Sequence, residues 1–380
     1  MNAPLPATKT STAPTSASAS PLARMALLAY VVLIVYASGY PFTGWEWDAS
    51  VTLIVMLTQW PHYWTGFDVV VNILGYMPLG CLLVFSMYPR VPRFFALVLA
   101  GTLGSLLSLG IEIMQFSLPS RVTSLLDICT NSAGAFLGAI IGALIVRLIL
   151  ENNLLGQLSK QWLRHESSKE LVLLGLWPLA QIFPQAYLFG LGHVFPRIST
   201  WSYEWFNIEL NLAEVFRDGV ELNAEQYLIT ETLISACAST GAVLLLVSLL
   251  NRQAPRIWIG LMFLCSALAV KSLATAILIH PDAAFAWLTP GAIGGLIISG
   301  LMLYGFSLAP LSAQRRLAIV LIGICLVLIN FIPSNPYFAL SQQGFMRGKM
   351  LNFYGAAEFL ALTWPFLALW LSFARSPKHT

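Results

Sequence analysis

Apolar runs of about 20 residues recur from one end of this chain to the other, and that is the length an α-helix needs to cross a bilayer. Few soluble folds can hide so many. Of the 380 residues, 57% are hydrophobic and only 10% charged, against about 25% charged in soluble domains. The alternating strands of a membrane β-barrel do not occur. The sequence therefore predicts an all-α protein, a polytopic transmembrane helical bundle with about ten spanning helices.

The runs place helices at roughly 24–42, 68–88, 94–116, 126–149, 171–195, 227–250, 257–279, 284–306, 316–333 and 352–373. The fifth carries Pro178 and Pro184 and is expected to kink or break. The run 51–58 is too short to span, and Trp45, Trp47, Trp60, Tyr63 and Trp64 around it form an aromatic belt. The first run reads either as a retained helix or as a cleaved signal peptide. Residues 1–22, rich in Ser, Thr, Ala and Pro, read as a disordered tail. The polar stretch 151–170 reads as a cytoplasmic linker. It separates a four-helix membrane domain at 23–150 from a six-helix membrane domain at 171–380.

Lysine and arginine set the orientation, because they are retained on the cytoplasmic side. With ten helices and both termini cytoplasmic, fourteen of the 20 Lys and Arg residues lie on inner segments and five on outer ones, with Lys271 inside a span. The small net charge of +3 gives no reason to expect a nucleic-acid partner.

Charge is scarce, so where it concentrates is informative. Residues 68–75 and 127–134 share D-x3-N-x2-G: Asp68, Asn72 and Gly75, then Asp127, Asn131 and Gly134. Both copies begin a helix running from outside to inside. Helices 1–2 and 3–4 thus read as two parallel hairpins from a duplication. Positions i, i+4 and i+7 share a helix face. Gly134, Gly138 and Gly142 continue that face as a close-packing stripe, which the third helix matches with Gly104, Ser108, Glu112 and Gln115 along one side; Gly75 and Gly80 are read as further packing positions. Glu112, Gln115 and Arg121 complete a polar cluster at the outer end. Ionisable groups at the edge of hydrocarbon must be paired or wet. Two readings follow: a clasp in which Arg121 bridges Glu112 or Asp127, and a ligand site in which a carboxyl binds a sugar hydroxyl or acts as base while Arg121 meets an anion.

The pattern Asp68, Asn72, Pro78, Gly80, then Glu112 and Gln115, Arg121, and Asp127, Asn131, Gly134, Gly138 resembles the VanZ-like family. That resemblance spans about residues 25–150. It implies a four-helix bacterial membrane domain associated with resistance to glycopeptide antibiotics of the teicoplanin type, and so a multi-pass protein of the bacterial inner membrane and cell envelope. The family supplies a site but no reaction.

In the second half, Glu231, Lys271 and Glu358 lie within apolar runs, and Lys271 is expected to pair with one of the two glutamates or to mark a transport site. His193 reads as a structural residue. The five cysteines show no C-x-x-C spacing, so no zinc site or disulfide framework is indicated. No P-loop, dinucleotide, zincin or nucleophile-elbow motif occurs, and no metal or cofactor is expected. Three functions remain open. The chain binds a lipid-linked glycan or glycopeptide at the outer leaflet among membrane lipids, or it is an enzyme on such a lipid, or it is a secondary transporter.

Overall fold

A computed structural model describes residues 21–40, 42, 44–46, 60–61, 64–118, 123–146, 161–163, 167–217, 222–333 and 351–374. Residues 1–20 of the expected tail, the run 51–58, most of the linker, Trp47, Tyr63 and Arg121 lie outside the described residues, while Pro21 and Leu22 already belong to the first helix. The described part is helical: α1 Pro21–Gly39, α2 Gly66–Met87, α3 Arg93–Gln115, α4 Leu125–Ile145, α5 Ser168–Gly175, α6 Trp177–Ala180, α7 Phe195–Phe206, α8 Leu212–Arg217, α9 Ala224–Ser248, α10 Arg256–Leu278, α11 Pro290–Ser307, α12 Leu311–Phe331 and α13 Leu351–Ala374. Nine of these are long and apolar enough to cross a membrane: α1–α4 and α9–α13.

Local chemistry sets where the helices start. Thr65 and Asn223 begin α2 and α9 with capping boxes, and Ser124 and Thr289 cap α4 and α11 by accepting the N–H three residues on. Thr289 followed by Pro290 starts α11 six residues later than the apolar run suggests. Prolines 92, 255 and 310 precede α3, α10 and α12.

The chain forms two compact units. The first holds residues through Leu28, 48–116 and 122–152; the second holds 29–47, 117–121 and 153 onward. The first hairpin expected from the sequence is therefore divided. From Ala29 on, α1 belongs to the second unit, where Tyr36 stacks on Phe359 with ring centroids 4.3 Å apart.

In the first unit α4 packs against both α2 and α3. A Cβ on Gly134 would collide with the Ile73 carbonyl, one on Gly138 with the Met77 carbonyl, and one on Gly142 would come within 3.1 Å of Cys81 Cα. These partners advance four residues at a time on both helices, so α2 and α4 run parallel and in close backbone contact. Gly80 answers from α2 against Ala135. Gly75 does not: a Cβ there would meet nothing within 4 Å, so it is no packing position.

In the second unit the central helix is α9, buried along most of its length between α10, α11 and α12. The expected fifth helix is not one. Two short helices, α5 and α6, are followed by irregular chain, because Pro178 and Pro184 interrupt the hydrogen-bond ladder. Phe189 and Gly192 take positive φ, 62° and 84°. This broken stretch, 168–192, runs between the end of the unit where Leu163 bridges Leu250 and the end where Asn330 lies. Backbone without a helix is tolerated at membrane depth only when protein satisfies it. Here Trp364 Nε1 donates to the Leu173 carbonyl at 2.7 Å and Ser235 Oγ to Leu188 at 3.3 Å. The Gly192 N–H donates to Ala361 at 2.9 Å, and its carbonyl accepts from Asn330 Nδ2 at 2.8 Å.

Candidate functional site

The duplicated aspartates begin from the same local device. Thr65 Oγ1 caps α2 and donates to Asp68 Oδ2 at 2.6 Å; Ser124 Oγ caps α4 and accepts from the Asp127 N–H at 3.1 Å. The repeat is thus longer than D-x3-N-x2-G. A hydroxyl three residues before each aspartate belongs to it, and the spacing S/T-x-x-D is a helix-start signature that reading from the aspartates onward overlooks.

The two copies then diverge. Asp68 is engaged locally, its Oδ2 also accepting the Thr65 N–H at 2.9 Å. Asp127 reaches across to the other copy: Asn72 Nδ2 donates to its Oδ1 at 2.6 Å and lies 3.3 Å from Thr130 Oγ1. Ser124 links a second carboxylate, because its N–H donates to Glu112 Oε2 at 3.2 Å. One serine therefore holds Glu112 from α3 and the helix start of Asp127. One turn deeper, Asn131 Nδ2 donates to Ser108 Oγ at 3.0 Å, and its Oδ1 is buried with no hydrogen-bond partner.

Six of the seven residues picked from the sequence are therefore described, and they gather where α2, α3 and α4 meet. Asn72 and Asp127 join α2 to α4, Asn131 joins α4 to α3 through Ser108, Asp68 stays at the start of α2, and Glu112 reaches the start of α4 from α3. Gln115 is buried one turn further along α3, while Arg121 lies outside the described residues. Glu112 is 3% exposed, a carboxyl almost wholly removed from solvent. The charges of Glu112 and Asp127, and of Asp127 and Asp68, lie within electrostatic reach of each other. Among the described residues none of the three carboxylates is in a salt bridge. Nor is any group of three His, Cys, Asp or Glu arranged to hold a metal. Chemically the cluster is rich in acceptors: three carboxylates, the Asn131 amide carbonyl, unpartnered among the described residues, and hydroxyl oxygens.

The second unit corrects the expected Lys271 pair. Glu358 is held by Arg197, whose Nε donates to Oε1 at 2.7 Å and whose Nη2 meets Oε2; Tyr40 OH accepts from the same guanidinium at 3.1 Å. Glu231 accepts from Thr289 Oγ1 at 2.5 Å. Lys271 Nζ donates instead to the Phe183 carbonyl at 3.4 Å, in the gap that Pro184 opens. The lysine serves a broken backbone rather than a carboxylate, which the sequence could not reveal without the break. Nearby, Arg217 Nη2 donates to the Asn330 carbonyl at 2.7 Å and sits 3.0 Å from His193 Nε2. Burial and the Arg217 charge lower the His193 pKa to about 4, so at pH 7 the ring is neutral and Nε2 accepts.

Fold and site together define a multi-pass, all-helical membrane protein with a buried polar cluster at one end of its first unit. The VanZ/LLP1 family model matches residues 24–147, the part of the chain that carries this cluster. Over that region the chain resembles the VanZ/LLP1 family, and the later helices lie beyond the match. Comparison with curated proteins and with solved structures returns no match.

Proposed function

We propose that the first unit receives the polar headgroup of a cell-envelope amphiphile, a lipid-linked glycan or a glycopeptide of the teicoplanin class, at the outer leaflet. The observation that carries this reading is the Glu112–Ser124–Asp127 arrangement with the unpartnered Asn131 Oδ1 beneath it. Glu112 and Asp127, on α3 and α4, have more acceptor capacity than the Ser124 N–H and Asn72 Nδ2 fill, and Asn131 Oδ1 has no donor among the described residues; sugar hydroxyls and amines supply donors. The distribution of Lys and Arg supports an outward-facing cluster. Burial makes each such hydrogen bond count for more than it would in water.

The test is native mass spectrometry of the protein extracted with its surrounding lipids, repeated for Glu112→Gln and Asp127→Asn. The expected result is a co-purifying glycan-bearing lipid, or added teicoplanin, bound by the parent and at least tenfold weaker in both variants. Both variants should keep the parent's gel-filtration profile. Equal retention of ligand by all three proteins, or none by the parent, overturns the reading.

A further inference from the structure

Outside the nine spans, α7 and α8 form a short reversal whose turn is made by Asn207 at φ 53°, in the left-handed region that asparagine tolerates. Its surface is unusual for a water-facing loop. Trp205 is 65% exposed and Phe206 69%, with Trp201, Tyr203, Ile208, Val215 and Phe216 exposed as well. Trp201 and Trp205, one turn apart on α7, lie parallel with ring centroids 5.6 Å apart. Thr200 and Glu204, also one turn apart, form the adjacent polar side.

We propose that this α7–α8 hairpin lies flat in the membrane interface, with Trp201 and Trp205 immersed among lipid headgroups and upper acyl chains and with Thr200 and Glu204 toward water. Three observations commit the apolar side to lipid. First, the hairpin is pinned at the depth where a span ends. Phe195 and Phe216 pack on Phe331, the last residue of α12, with centroids 5.3 and 5.4 Å away, and Arg217 caps α12 through the Asn330 carbonyl. Second, the exposed apolar stripe of α12, Val320, Ile324, Val327 and Phe331, runs directly into that aromatic cluster, so the lipid-facing surface of the span continues onto the hairpin. Third, the residue types suit the interface, where the amphipathic rings of Trp and Tyr concentrate. The exposed charges, Glu204, Glu209 and Glu214, are acidic, so attraction to anionic lipid is not what holds the hairpin down. Aromatic immersion is.

The experiment uses the full chain in phosphatidylcholine nanodiscs, with acyl chains brominated either near the headgroup or near the tail end. The chain has 12 Trp, so the emission of the Trp201→Phe/Trp205→Phe double variant is subtracted from that of the parent. The expected difference signal is blue-shifted. Shallow bromines quench it at least twice as strongly as deep bromines or aqueous iodide, and raising the salt does not change this. A red-shifted difference signal quenched by iodide and untouched by either brominated lipid would overturn the proposal, leaving an aqueous surface for a soluble partner. Trp205→Phe alone gives the same readout if the double variant does not fold.

Discussion

Ser124 shows how much one small side chain can organise. Its hydroxyl starts α4 and its N–H meets Glu112, so the two functions separate by mutation. Ser124→Ala keeps the N–H to Glu112 and loses only the cap, a loss of about 1 kcal/mol. The thermal midpoint in detergent should fall slightly while Glu112-dependent binding survives. His193 titrates in a definite direction. Its pKa is about 4 in the fold and about 6.5 in an unfolded chain. The stability tied to the neutral ring is therefore complete above about pH 6.5 and is lost as pH falls from there toward 4. The thermal midpoint should drop between pH 7 and pH 5, and His193→Gln should flatten that drop. At this scale the sequence was partly legible. Asp68, Asn72, Glu112, Asp127 and Asn131 stand out because polar residues are rare in apolar runs. Ser124 and Thr130 do not, since a hydroxyl in or beside a membrane helix often bonds only local backbone, as Thr102 and Ser105 do here.

Among the elements, the α2–α4 contact depends on glycine at three successive turns of α4. A methyl on Gly138 would overlap the Met77 carbonyl, and backbone cannot swing aside as a flexible side chain can. Gly138→Ala should cost about 1–3 kcal/mol. Gly75→Ala, which meets open space, should be neutral or stabilising by up to about 1 kcal/mol. Melting both variants side by side checks the pair, and an equal effect would sink the assignment. The sequence indicated the G-x-x-x-G stripe but not the difference between its members. Which glycine touches a neighbour depends on helix rotation, and spacing alone leaves rotation open. The same limit explains the fifth helix. Pro178 and Pro184 announce a break, but not that Lys271 and Asn330, far along the chain, supply its missing hydrogen bonds.

For the whole molecule, hydropathy alone was enough for the helical class and for nine spans, because bilayer thickness fixes run length. Order along the sequence pairs α1 with α2, whereas from Ala29 onward α1 packs in the second unit. Its ring contacts to Phe359 and Phe42, with centroids 4.3 and 4.9 Å away, contribute about 0.5–1.5 kcal/mol each beyond burial. Tyr36→Ala should therefore lower the protein's thermal midpoint measurably, and Leu28→Ala, at a position 57% exposed, should not.

The broken stretch 168–192 also has a history written into its bonding. Ser235, Lys271, Asn330, Ala361 and Trp364, which complete its hydrogen bonds, all come later in the chain. Trp364 follows Leu173 by 191 residues. At a synthesis rate of about 5–20 residues per second, roughly 10–40 s pass between the two. Throughout that interval the segment exists while its last partner does not. Water or the insertion machinery must hold its open carbonyls until translation reaches the final helix. A ribosome stalled before residue 364 would thus carry this segment still unfinished, however complete the helices around it.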